Sequence, residues 1–167
     1  MTYTLPIATN EILGGVRPDG VTITIDNGVI SALTSESFIS PTITGITTIQ
    51  HLTEIVTSLS NATGTVIHDF LTGGSVFYHT NVQNNFTANF TNVPLTNNRS
   101  FTVTLIIDQG ATAYIPHAVS INSVSQNLYW STNVQPSGTA NKIEIFTFTL
   151  LRRNDTWRIT GGLNTYG

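Results

Sequence analysis

From Gly64 to the C-terminus the chain repeats one pattern: a short run rich in Val, Ile, Thr and aromatic residues, then a turn of Gly, Asn or Asp. The runs predict strands over Thr65–Asp69, Ser75–Thr80, Phe86–Thr91, Arg99–Ile107, Ala113–Ile121, Leu128–Ser131, Lys142–Leu151 and Trp157–Gly161. Between them lie Gly73-Gly74, Asn84-Asn85, Asn97-Asn98, Gln109-Gly110, Ser137-Gly138 and Asn154-Asp155. Strands this short and closely spaced leave no room for crossover helices, so the expected class is all-β. The architecture expected is an antiparallel β-sandwich of jelly-roll type. Alternation sets the faces: Phe101, Val103, Leu105 and Ile107 share one side of their strand. Ile143, Ile145, Thr147 and Thr149 lie opposite Phe146, Phe148 and Leu150, so this strand is apolar on both sides for part of its length. Such a strand belongs in the middle of a sheet or at a subunit contact.

The region before Gly64 is organised differently. Leu13-Gly14-Gly15-Val16 and Pro18-Asp19-Gly20 are turn signals. Val21–Ile25 alternates as a half-buried strand, Asp26-Asn27-Gly28 turns the chain, and Val29-Ile30-Ser31 returns, which is a strong hairpin signal. Residues 32–45 are rich in Ser, Thr and Gly and read as a linker. In Ile46–Leu59, Ile49, Leu52, Val56 and Leu59 fit a helical period, but the β-branched content favours a strand, which is the expectation. Two regions follow: residues 1–45, an attachment segment too poor in apolar residues for its own core, and residues 46–167, a β knob that folds alone.

Charge narrows the function. The chain carries 6 Lys and Arg against 9 Asp and Glu, for a net charge of −3. Arg152, Arg153 and Arg158 form the only cationic cluster, far short of the basic stripe a nucleic-acid binder needs. A surface of amides and hydroxyls with few charges suits subunit contacts. There are no cysteines, so disulfides and thiolate metal sites are excluded. No basic region followed by an apolar run opens the chain, and no stretch is apolar enough to cross a membrane, so neither a secretory signal nor membrane insertion is expected. The Asn-x-Thr/Ser triplets at Asn61, Asn85, Asn89, Asn98 and Asn154 read as chance in an Asn/Thr-rich chain.

Catalytic readings are thin. The 4 histidines are His51, His68, His79 and His117. His68 and Asp69 are neighbours on a strand and point to opposite faces, so they do not pair. Ser75 and Ser120 lack a nucleophile-elbow context. A metal set of His68 and His79 with Asp69 or Asp108 has suitable chemistry, but nothing in the sequence assembles it. Of the 9 acids, Asp19, Asp26, Asp108 and Asp155 sit at turns, where such residues bond their own backbone. The expectation is no enzyme, no metal and no cofactor. Tyr114, Tyr129, Trp130 and Trp157 have the shape for stacking on sugars, yet both tryptophans read first as core or interface anchors. The polar loops at Asn84, Asn85, Asn97 and Asn98 are the expected receptor-facing positions.

Two resemblances add to this. Ala8–Val16 followed by Val21–Ser31 resembles a short repeat of phage head and tail fibres, in which two strands and a Gly-Gly turn build a thin trimeric stalk. It departs at Arg17-Pro18-Asp19, where that family carries a smaller, glycine-containing turn, and its single copy excludes a long stalk. From about Thr53 onward the chain resembles a β domain that closes virion structural proteins of cyanobacterial tailed phages. That likeness rests on Thr53-Glu54, Ala62–Val66, His68-Asp69, Phe77-Tyr78-His79, Asn85–Pro94, Gln109–Pro116, Pro136–Lys142 and Gly162–Gly167. What the resemblances imply is a homotrimeric structural protein on the virion surface: a short fibre of tail or head, with a capsid decoration (cement) protein as the alternative. A glycan-binding or depolymerising tail-spike component ranks last. The implied partners are further copies of itself, other virion proteins of the tail, baseplate or major capsid, and a host-surface glycan. The contact residues expected are Val21, Ile23 and Ile25 in the first region and Phe146, Phe148 and Leu150 in the second.

Overall fold

The computed structural model describes residues 53–167 together with the strands β1 (Ile23–Asp26) and β2 (Val29–Ala32). The chain divides into two units, Met1–Ile49 and Gln50–Gly167. In the first, β1 and β2 pair antiparallel with Asp26 opposite Val29, and the Asn27-Gly28 turn expected between them lies outside the described residues. Val21 lies outside the described residues.

The second unit is all-β. Its strands are β3 (Val56–Ser60), β4 (Gly64–Asp69), β5 (Val76–Thr80), β6 (Phe86–Thr91), β7 (Arg99–Asp108) and β8 (Pro116–Ile121), then β9 (Val124–Gln126), β10 (Leu128–Trp130), β11 (Ile143–Arg153) and β12 (Thr156–Tyr166). A single helical turn, α1 (Phe70–Gly73), follows β4 and is capped by Asp69, whose Oδ1 accepts from the Leu71 amide at 3.0 Å. One sheet has the order β10-β12-β11-β7-β5-β3 and the other β4-β6-β8-β9.

The antiparallel, jelly-roll expectation is corrected here. From β3 to β8, successive strands alternate between the two sheets, so β3, β5 and β7 run parallel in one and β4, β6 and β8 parallel in the other. The chain winds as a two-sided coil, and only β11, β12 and β9 bring antiparallel pairing to this unit. The turns are read correctly but lead elsewhere: they carry the chain across to the opposite sheet instead of back beside the previous strand. Asn61, Asn81, Asn92 and Asn98 sit at these crossings with φ of 58°, 51°, 56° and 57°. Asparagine tolerates the left-handed region better than most residues, which accounts for its abundance here. The long β11–β12 hairpin closes through Asn154-Asp155, both at positive φ (49° and 58°), the geometry that suits the twist of paired strands.

The inward faces meet in a continuous aromatic and aliphatic core that includes Phe77, Phe86, Phe90, Leu105, Phe146, Phe148 and Ile159. Phe90 of β6 touches Phe148 of β11 across the sheets, ring centroids 5.8 Å apart. Trp130 and Trp157 are half-buried against this core. Trp130 lies flat enough on Gly161 that a Cβ there would stand 2.7 Å from its ring. Gly161→Val is therefore expected to expel the indole, at a cost of about 1–3 kcal/mol from overpacking. A red-shifted tryptophan emission with a lowered melting temperature would show it; an unchanged spectrum would refute it.

Candidate functional site

His68 and His79 come together. Alternation on β4 and β5 turns both inward, and both are fully buried. Their Nε2 atoms lie 2.9 Å apart, bridging the two sheets. One ring donates and the other accepts, so the two imidazoles hold opposite tautomers. Each Nδ1 has no partner among the described residues. Phe77 stands edge-on to His68 with ring centroids 4.8 Å apart, Phe90 lies 5.5 Å from His68, and Phe86 lies 5.3 Å from His79. Burial, with the neighbouring His79 second, pushes His68 down to about 3, and burial pushes His79 down to about 4. Both rings are neutral at physiological pH and form a polar latch between the sheets.

The metal set weighed from the sequence is not assembled. Asp69 turns away from the pair and accepts from Asn92 Nδ2 at 2.7 Å, from the Leu71 amide and from Thr72 Oγ1. These hydrogen bonds, Asn92 foremost, hold its carboxyl below the ordinary value. Asp108 is exposed at the end of β7.

Phe146, Phe148 and Leu150 are fully buried, so the expectation that they form a subunit or virion contact is corrected. They face the opposite sheet. The other face of β11 is the one open to a partner. Missed in the sequence was the residue that shares their face, Glu144, also fully buried. Its Oε1 accepts from the Thr139 amide at 2.7 Å and from Thr165 Oγ1 at 3.3 Å, and its Oε2 accepts from Gln109 Nε2 at 2.7 Å. Gln109 in turn exchanges hydrogen bonds with the Tyr114 backbone, donating at 2.7 Å and accepting at 3.0 Å. One carboxylate thus pins the loops on either side of it. A Cβ at Gly138 would come within 3.1 Å of Glu144 Oε2 and 2.9 Å of Ala113 Cβ, which is why that loop carries glycine.

The asparagine loops do not form one surface. Asn84 and Asn85 precede β6, and Asn97 and Asn98 follow it, so they lie at opposite ends of that strand. Asn84 is exposed, and its Oδ1 accepts from the Asn85 amide at 2.8 Å. Asn85 Oδ1 accepts from the Ile115 amide at 2.8 Å. Asn97 is joined twice to Asp155, at 3.0 and 2.9 Å. Asn98 takes a left-handed φ and its amide donates to the Arg152 carbonyl at 2.8 Å. These side chains are chiefly occupied in tying loops together.

The outward face of the larger sheet is nearly uncharged across its centre. Register sets Thr102, Thr149 and Thr160 in one row, Thr104 beside Thr147 in the next, and Tyr78, Ile106 and Ile145 in a third. Ile143 beyond them is 46% exposed. Comparison of the chain with family models, with curated proteins and with solved structures returns no match.

Proposed function

We propose that this chain is a non-enzymatic structural protein of a tailed-phage virion, a homotrimeric short fibre of tail or head whose second unit is an outward β-sandwich knob. The observation that carries the reading is the open face of the larger sheet, where Tyr78, Ile106, Ile143 and Ile145 adjoin ranks of threonine. The centre of this face has no charges to desolvate when another surface covers it, Asp108 and the pair Arg153 and Arg158 lying at its two ends, and its methyl groups gain from the covering. Further copies of the same chain are the occupant proposed, in keeping with the trimeric fibres that the first region resembles. The edge strands β3 and β4 carry no lysine, arginine or glutamate, the usual guards of a lone sheet edge, which suits a crowded assembly. Residues 1–45 are the segment proposed to hold the protein to its virion partners.

Light scattering at micromolar concentration is expected to give three times the 18.1 kDa of one chain. Ile106→Glu combined with Ile145→Glu is expected to yield a folded monomer, because it places charge in the covered seam. A monomeric wild type overturns the trimer. The alternative is a capsid decoration protein. Copies per particle separate the two: a few dozen or fewer for a fibre, hundreds for decoration.

A further inference from the structure

The three clustered arginines divide between the two faces of the β11–β12 hairpin. Arg152 turns inward. Its guanidinium lies 5.3 Å over the Trp157 ring, its Nε donates to the Leu95 carbonyl at 2.8 Å, and it pairs with Asp155 at 3.2 Å. Arg153 and Arg158 stand on the outer face and are exposed. Neither makes a side-chain hydrogen bond or ion pair among the described residues. Arg153 lies opposite Thr156 and Arg158 opposite Leu151, so the two arginines are diagonal neighbours, about 7 Å apart at Cβ.

Both line an open groove of about 440 Å³ at the hairpin end of the sheet, with Tyr129, Trp157, Asn127 and Asn154. Its volume is in the range of small-ligand sites. Tyr129, opposite Thr160 on the neighbouring edge strand, is 48% exposed and offers its ring to the groove. No carboxylate lines it. Asp155, adjacent in sequence, is held by Arg152 and Asn97. In a chain of net charge −3, two uncompensated guanidiniums set side by side repel each other and favour an anion between them. An aromatic ring beside them favours the apolar C–H face of a sugar, and the two asparagine amides suit its hydroxyls.

We propose that this groove binds an acidic saccharide, a hexose bearing a carboxylate or a sulfate. Arg153 and Arg158 take the anionic group, and Tyr129 stacks on the ring. The inference deepens the virion-surface reading by giving the chemistry of a host-surface ligand. It is tested on the purified protein alone, so it can fail while the trimer stands, or stand if the trimer fails.

The test titrates the full chain with trigalacturonate, with a sulfated heparin hexasaccharide, with neutral maltotriose, with inorganic phosphate and with a single-stranded oligonucleotide. Calorimetry and tryptophan emission give the readout. One of the two acidic saccharides is expected to bind saturably and at least about tenfold more tightly than phosphate, maltotriose or the oligonucleotide. Arg153→Gln and Arg158→Gln should each weaken it by about tenfold or more. Tyr129→Ala should weaken it by a similar factor of about ten while leaving phosphate binding unchanged. Lys142→Gln, away from the groove, should bind as wild type does. Equal affinity for phosphate or the oligonucleotide would reduce the groove to a general anion patch and overturn the proposal. So would saturable binding of neither acidic saccharide, or binding that survives loss of both arginines.

Discussion

Glu144→Gln is expected to lower folding stability by about 3 kcal/mol in denaturant titration, several times the effect of a surface substitution. The change keeps the shape of the side chain and removes only its charge and one acceptor. That is enough, because donors converge on it from two sides: Gln109 Nε2 on one oxygen, and the Thr139 amide with Thr165 Oγ1 on the other. Whichever way the new amide turns, its NH2 group faces a donor with no water to intervene. Glu144→Leu is expected to cost a similar amount by leaving the Thr139 amide without an acceptor. Thr165→Ala, which loses only a long bond at the exposed margin, should cost under about 1 kcal/mol. Hydrogen exchange gives a local readout, since the Thr139 amide should lose its protection in Glu144→Gln under native conditions. A Glu144→Gln protein as stable as wild type would mean that the carboxylate is not the tie between these loops.

That carboxylate marks the boundary of what the sequence makes legible. Period-two alternation and turn residues suffice to place most strands within a few residues, because both signals are local. β11 and β12 run on past the predicted Leu151 and Gly161 to Arg153 and Tyr166. The short β9 is missed, since it follows a tight Asn122-Ser123 turn with both residues at positive φ and is only three residues long. Pairing is a different matter. A turn at Asn61 or Asn81 reverses the chain equally well within one sheet or between two, and only the packed core decides. The coil that results brings His68 and His79 together, a meeting that alternation allows but does not require. Glu144 did carry a signal, as a lone acid on the same face as Phe146 and Phe148, where a partner set has to exist. The arginine cluster is visible as a run of charge, but its division into one anchored side chain and two facing the groove follows from the register of β11 on β12.

Acidification is expected to unlock the latch between the sheets. His68 and His79 ionise in the folded protein only near about 3 and about 4, against 6.5 in an unfolded chain. Groups with depressed folded values bind protons preferentially when unfolded, so their contribution is fully present above 6.5 and is lost as pH falls through the window down to the folded values. Each unit of separation is worth about 1.4 kcal/mol, so the two rings together remove on the order of several kcal/mol by pH 4. The side chains packed on the pair are Phe77, Phe86 and Phe90, none able to offset a new positive charge. Asp69, the neighbouring acid, faces away, and its own lowered value adds to the acid loss only below the ordinary carboxylate value of 3.8. The interval from pH 6.5 to 4.5 therefore lies above the range in which Asp69 contributes. Denaturant midpoints of the wild type should fall steadily across it. The double variant His68→Leu with His79→Leu, which replaces both rings with apolar side chains, should lose most of that slope whatever its stability at neutral pH. A wild type equally stable at pH 7 and 4.5, or a double variant that keeps the full slope, would show that the pair is not held neutral in the core.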